Sequence, residues 1–435
     1  MILKLPGSAL PGNLRSAGEK TFIFALFPRV KARGRPRGMR SLSDSNHPVE
    51  ENRKDMKWTP RERLMAAMRL EKPDCVPVCP DLSNMVPCRL TGKPFWDIYL
   101  NSDPDLYTAY KNTVDYFGFD GWWTDYFSAV KPVLRHQLEW RNLPVEERNG
   151  RKIQRSILVT PDGTLEKEMT FYPADSPTMT EKPIKDLKES RKFWKYLFPE
   201  VTGIDPEGYH RQKKDWGERG IYGLWIPAPG FNLWFDWVQD GITQCSILYY
   251  EEREVLDEFN EGFMKHYWRL FEYILGLKPD FILTGGSGGF ALQSPAIWRE
   301  YALPVVKELT RRCREAGILT MIHSCGKQAE MVKWCAEETD LSCINPLEVP
   351  PMGDCDLAVL KKRYGDQICL MGNLQTTDVM LFGRPEDVER AAKEAIDDAA
   401  AGGGFILSTG DQCGRDTPDE NIRKMVEVAR TYGKY

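Results

Sequence analysis

From about residue 220 to the C-terminus, short apolar runs alternate with longer stretches of helical period. The short, mainly apolar runs at 280–284, 318–322, 341–344, 367–371 and 404–408 predict strands. The stretches 294–316, 327–338, 354–364 and 385–401 between them read as helices of the length that a crossover between parallel strands needs. Upstream, Thr59-Pro60-Arg61-Glu62 combines a capping threonine, a proline at the first helical position and a glutamate at the third, and opens a helix over 61–70. A short strand over 74–79, a helix over 104–117 and a strand region over 121–127 follow. Thr417-Pro418-Asp419-Glu420 repeats the capping pattern ahead of a closing helix. The rhythm breaks at 132–219, where Pro161-Asp162-Gly163 between apolar runs marks a hairpin turn. The pattern predicts an α/β fold, a (β/α)8 TIM barrel over 58–435 with an inserted β-hairpin region at 132–219; a doubly wound open sheet shares its periodicity.

Composition narrows the function classes. With 435 residues, 42% hydrophobic and 28% charged, the chain can bury a large core. A net charge of -4 and a pI near 5.9 supply no domain-wide basic face, so nucleic acid is not an expected partner. No stretch approaches the 18 apolar residues of a membrane helix, the run 21–27 is far too short to span a bilayer, and no membrane association is expected. Eleven cysteines at irregular spacing, with no secretory signal, predict reduced thiols and a cytoplasmic location. Segment 1–57 stands apart, with twelve Lys or Arg against five Asp or Glu, and reads as a disordered basic extension. An Arg-rich, acid-poor transit peptide and a translation start upstream of Met56 both account for it, and no chemistry is expected there.

Candidate chemistry gathers at predicted strand ends. His323-Ser324-Cys325-Gly326 follows the 318–322 run, and side chains two apart on an extended segment point the same way, so both can reach one ion. Glu348, Asn373 and Cys413 fall just beyond later runs, on the rim where barrel chemistry is built. Imidazole, thiolate and carboxylate donors together suit zinc. Each residue also has a plainer reading: a hydrogen-bonded loop histidine, a buried thiol like Cys313 or Cys343, a carboxylate at a helix approach. Cys413 lies in the polar loop Thr409-Gly-Asp-Gln-Cys-Gly414, which offers a structural thiol little apolar company. Gly285-Gly-Ser287-Gly-Gly289 lets backbone approach the mouth and make room for a substrate, and it lacks the spacing of a nucleotide fingerprint. Trp122, Trp123, Tyr126 and Phe127 form either a cavity wall or core.

His-x-Cys-Gly, then Pro346-Leu-Glu348, Gly372-Asn-Leu374, Gly402-Gly-Gly-Phe-Ile-Leu-Ser408, Cys413-Gly414 and Thr417-Pro-Asp-Glu-Asn-Ile422 together resemble the uroporphyrinogen decarboxylase (URO-D) superfamily. Within it the chain is similar to the zinc-dependent, corrinoid-linked methyltransferases. The likeness runs over 59–435 and is most specific after 280. The true decarboxylases' Arg-rich early segment is absent, with only Arg89 after Pro80-Asp-Leu-Ser-Asn-Met-Val-Pro87, and Gln412-Cys413-Gly414 replaces their late Gly-His-Gly. The resemblance implies zinc held by His323, Cys325 and Cys413. Glu348 corresponds to the carboxylate of the cobalamin-independent methionine synthase site and serves as a fourth, displaceable ligand with a catalytic role. Asp125 stands where the decarboxylases' catalytic Asp is expected, and Trp122, Trp123, Tyr126, Ser287 and Asn373 are the expected substrate-binding set.

The activity so implied is zinc-dependent methyl transfer between a small molecule, either a methylated donor or a thiol acceptor, and a corrinoid (cobalamin) carried on a partner protein. Two other classes compete with it. A uroporphyrinogen decarboxylase would use Asp125 without metal, and a noncatalytic zinc- or ligand-binding barrel would close its coordination shell. The sequence leaves open the identity of donor and acceptor, the direction of transfer and the oligomeric state.

Overall fold

A computed structural model describes residues 58–435 except 136–138 and 232–236; the basic segment 1–57 lies outside the described residues. Strand β1 (Gly121–Asp125) leads into an inserted region that holds β2 (Lys131–Leu134), β3 (Arg141–Asn142), β4 (Glu146–Arg148), β5 (Arg151–Thr160), β6 (Gly163–Phe171), β7 (Thr178–Glu181) and β8 (Val201–Asp205). The alternation then resumes with β9 (Gly220–Trp225), β10 (Phe281–Gly285), β11 (Leu319–His323), β12 (Cys343–Asn345), β13 (Cys369–Leu374) and β14 (Phe405–Thr409).

Seven of these strands form one parallel sheet in the order β1-β9-β10-β11-β12-β13-β14. The segment 75–79 bridges its two edges. Leu407 N donates to Pro77 O at 2.9 Å and Cys79 N donates to Leu407 O at 2.8 Å, while Asp120 N donates to Val78 O at 2.9 Å on the other side. The eighth position of the barrel is thus held by a few ladder bonds, because Pro77 has no N–H to offer. Arg63, fully buried in the first helix (Pro60–Met68), pins this closure through Asp74 at 2.6 Å and Asp120 at 2.8 Å.

Helices cover the outside of the ring and bury one stripe each. In Leu303–Glu315 the buried positions are Leu303, Val306, Leu309, Thr310 and Cys313, the i, i+3, i+4 spacing of a single face. The expected 294–316 helix is in fact two, Pro295–Tyr301 and Leu303–Glu315, because Pro304 cannot donate into the preceding turn and a new helix starts around it. Each of the five strands expected after residue 280 begins and ends one to three residues further along than its apolar run, so His323 is the last residue of β11 and not the first of its loop.

The two expected capping boxes part ways. Thr59 Oγ1 accepts from Glu62 N at 3.1 Å and Glu62 Oε2 accepts from Thr59 N at 2.8 Å. At the closing helix (Asp419–Thr431) the cap is Pro418, whose carbonyl accepts from Asn421 and Ile422, and the Thr417 hydroxyl lies beside the Cys413 thiol. The inserted region is larger than a hairpin. β5 and β6 do pair through a turn at Pro161-Asp162, but they sit within a five-stranded antiparallel sheet, β3-β5-β6-β7 with β4 on β5, beside a separate β2–β8 pair. No helix among the described residues is long and apolar enough to cross a membrane.

Candidate metal centre

The end of β11 is built around glycine. Gly285 of β10 pairs in register with His323, and Asn345 of β12 pairs on its other side, so the three share a level and a face. Gly285 has φ 88° and no space for a side chain: a Cβ there would stand 2.2 Å from the His323 carbonyl oxygen. That same oxygen accepts from Gly286 N at 2.8 Å. Ser324 N donates to Asn345 O at 3.1 Å, Ser324 Oγ accepts from Phe290 N at 3.1 Å, and Gly326, at φ 90°, turns the chain away. The glycine-rich loop therefore makes room first for the strand that carries His323. A small crevice between Ala228, Pro229, Phe290 and Ser324 opens against His323.

His323, Cys325 and Asp411 each bring one ligand atom to within 4.8 Å of the others. His323 Nε2 lies 3.8 Å from Asp411 Oδ1, and that oxygen is buried without a hydrogen-bond partner. Glu348 adjoins the group, its Oε2 accepting from Gly326 N. Burial, with Asp411 adding, raises its carboxyl against the pull of the Gly326 amide and His323. Cys325 Sγ accepts from Gly288 N at 3.2 Å and has Ser287 beside it. Burial raises this thiol far above its ordinary value, and Asp411 and Glu348 add to the effect.

Asp81, 4% exposed, completes an acidic mouth from the loop after the 75–79 segment. Burial raises its carboxyl to about 6; His323 and Ser83 work against that shift and Asp411 with it. No Lys or Arg among the described residues pairs with Asp81, Glu348 or Asp411. This donor set fits a divalent cation. A buried thiol between carboxylates ionises only beside positive charge, and the unpaired Asp411 oxygen has nothing else to bind.

The structure brings together two of the four expected ligands, sets Glu348 against them, and puts Asp411 where Cys413 was expected. Cys413 is fully buried, its thiol beside Thr409 and Thr417 and pushed up to about 12 by burial, while its amide donates to Asp81 O at 2.8 Å. Asp411, at φ 151° just after Gly410, brings its carboxylate to His323, and Cys413 lies two residues further along the same loop. Asp411 was legible only as a neighbour of Cys413; Asp81 and Asn345 carried no sequence signal of their own.

The expected substrate residues scatter. Trp123 packs outward against Tyr107 and Tyr110, with ring centroids 5.4 Å away in each case, so it belongs to the layer between barrel and helix Leu106–Phe117. Trp122 lies near Phe281, the first residue of β10, and so at the opposite end of the barrel from the mouth. Both begin β1, which delivers only its last residues to the rim. Tyr126, 38% exposed, does reach the rim, 5.7 Å from Trp225, and Phe127 lies 6.1 Å from the same ring. Asn373 pairs in register with Ser408 at the root of the Asp411 loop. Asp125 accepts from the backbone amides of Ser128, Ala129 and Val130 at 3.1, 2.9 and 2.9 Å and from the Ser128 hydroxyl, so its oxygens close their own loop. Burial raises its carboxyl against those bonds.

Residues 282–432 match the family model described as uroporphyrinogen decarboxylase (URO-D). The matched stretch runs from β10 to the closing helix. It holds His323, Cys325, Glu348, Asp411 and Cys413. Among curated relatives, a methylcobamide:CoM methyltransferase of Methanosarcina mazei is 30% identical over 148 residues, which are 34% of this chain and 40% of that protein. A methylated-thiol–coenzyme M methyltransferase of the same organism is 24% identical over 148 residues, 34% of this chain and 36% of the relative. A uroporphyrinogen decarboxylase of Coxiella burnetii is 29% identical over 77 residues, 18% of this chain and 21% of that enzyme. The likeness thus spans about two fifths of the methyltransferases and about one fifth of the decarboxylase. A solved methyltransferase from Methanosarcina mazei superposes with a TM-score of 0.60 at 16% identity, covering 86% of this chain and 99% of its own, and so shares this fold. Arg89, the lone Arg of the early segment, pairs with Asp419 at 2.6 Å, whereas a polycarboxylate substrate needs several guanidinium groups free to meet it.

Proposed function

We propose that the protein is a methyltransferase that moves a methyl group between a small molecule and a corrinoid carried by a partner protein, with zinc held by His323, Cys325 and Asp411. The carrying observation is the convergence of these three donors at the ends of β11 and β14, with one carboxylate oxygen left unpaired. The likeness to methylcobamide:CoM and methylated-thiol methyltransferases over the same stretch supports the reaction type.

Zinc bound there would supply Lewis acidity, lowering the pKa of a bound thiol or polarising the heteroatom that carries the methyl group. The chain's own residues do the rest. Gly288 N, donating to Cys325 Sγ, and the Gly285 contact beneath His323 hold imidazole and thiol at fixed positions before anything binds. Glu348, anchored at Oε2 by Gly326 N and raised toward neutrality, holds or releases the proton that a thiol loses or a leaving heteroatom gains. Tyr126 and Trp225 wall the approach and keep water from the reacting groups. Asp125, with its oxygens engaged by 128–130, fits a loop-closing role better than the proton chemistry of a decarboxylase.

Metal analysis of the purified full chain tests this reading, with about one zinc per chain expected. His323→Ala and Asp411→Ala lose the metal and Cys413→Ser keeps it. Turnover of methylcobalamin with small thiols, followed by the visible spectrum of the corrinoid, should require the metal. Full turnover by metal-free protein ends the proposal, and zinc lost from Cys413→Ser but kept by Asp411→Ala restores the ligand set expected from sequence.

A further inference from the structure

The mouth holds more negative charge than a metal site uses. A divalent ion on Cys325 and Asp411 balances those two groups, which leaves Asp81 and Glu348, 4% and 8% exposed, with no Lys or Arg beside them among the described residues. A separate observation points to a ligand on the face of the sheet that carries His323. Asn345 is 1% exposed, and both its amide oxygen and its amide nitrogen lack hydrogen-bond partners. It pairs in register with His323, so its side chain is on the face of the sheet that carries the imidazole. A buried amide with neither end satisfied is costly unless a bound molecule completes it. Tyr126, 38% exposed, stands on the Asp81 side of the mouth, close enough for the Asp81 charge to act on its hydroxyl, and its ring leans on Trp225. Aromatic faces beside carboxylates are the setting in which organic cations bind.

We infer that the small-molecule partner of the methyl transfer carries an amine or ammonium group, received by Asp81 and Tyr126 with Asn345 accepting a hydrogen bond from it. This rests on the proposed methyl transfer for the place of the site and adds the class of molecule that enters it. Anionic thiols such as sulfonates are disfavoured, because they would approach two carboxylates that have no counter-charge.

Three thiols of equal length separate charge from shape: 2-aminoethanethiol, 2-mercaptoethanol and 2-mercaptoethanesulfonate. Dissociation constants are measured by titration calorimetry on the zinc-loaded full chain, alongside methylcobalamin turnover. The cationic thiol should bind about tenfold more tightly than the neutral one, and the sulfonate more weakly than both. Asp81→Asn should remove most of the cation's advantage with zinc content unchanged; Glu348→Gln, which should narrow it too, serves if Asp81→Asn does not fold. Equal binding of all three, tighter binding of the sulfonate, or an order that persists in both variants overturns the inference. If the cationic thiol binds best and no thiol supports turnover, the proposed function falls and the cation site stands. If turnover proceeds with the sulfonate as the best ligand, the function stands and the cation site falls.

Discussion

Replacing Gly285 by alanine tests whether the metal site depends on one glycine. Its φ of 88° lies in the left-handed region, where a side chain costs about 1–2 kcal/mol. Its Cβ would also meet the His323 carbonyl oxygen at 2.2 Å and His323 N at 3.0 Å, backbone atoms of β11 that no side-chain rotation moves, with Ile322 Cγ1 at 3.0 Å as well. Forcing atoms into such a contact adds about 1–3 kcal/mol, for a total of about 2–5 kcal/mol. Gly402 is the matched control, with φ 87° and nothing within 4 Å of its added Cβ, so Gly402→Ala carries the backbone cost alone. The two variants are compared by urea unfolding and by zinc content. Gly285→Ala should lose roughly twice the stability that Gly402→Ala loses, and only Gly285→Ala should lose zinc, because relief of the contact moves His323 away from Asp411. Equal losses of stability, or full zinc retention in Gly285→Ala, would refute the reasoning.

Arg63→Met leaves buried Asp120 with the Arg430 guanidinium at 2.9 Å and the Val78 amide at 2.8 Å, and should cost about 3 kcal/mol by urea titration; adding Asp120→Asn should recover part of that loss, and a purely additive double variant would argue against the coupling. Asp81 has a folded pKa raised to about 6, above the unfolded value near 3.9, so the folded state binds its proton more tightly and stability falls as pH rises through that window. In chelator-treated protein, Asp81→Asn should therefore match the native chain below about pH 4 and exceed it above about pH 6 by on the order of 2–3 kcal/mol; a gap that shrinks with rising pH contradicts the burial argument. Thr59→Ala removes the hydroxyl that accepts from Glu62 N, and should lower stability by about 1 kcal/mol in thermal or urea melts, while Thr417→Ala, which caps nothing, should not show that loss.

Much of the barrel was legible because its strands are short and apolar on both faces and its helices carry one buried stripe. Those patterns depend on residues at most four apart. His323 and Cys325 were legible for the same reason, since two residues apart on an extended segment is a local relation. Breaks in the pattern came from backbone chemistry that periodicity does not register: Pro304 divides one expected helix, and Pro418 takes the cap position expected of Thr417.

The sequence by itself determined the alternation of strand and helix, the rim on which chemistry falls, and the first two donors of the site. Only the tertiary structure decided the rest. Asp81 and Asp411 approach His323 from different strand ends through barrel closure, which joins Asp81 to residues more than three hundred positions away, and Asn345 reaches the same level by pairing with His323. Asp411 and Cys413 share one short loop, and the fold brings the Asp411 carboxylate to the imidazole. Both side chains are plausible metal ligands by chemistry, so composition cannot choose between them, and the path of the backbone does.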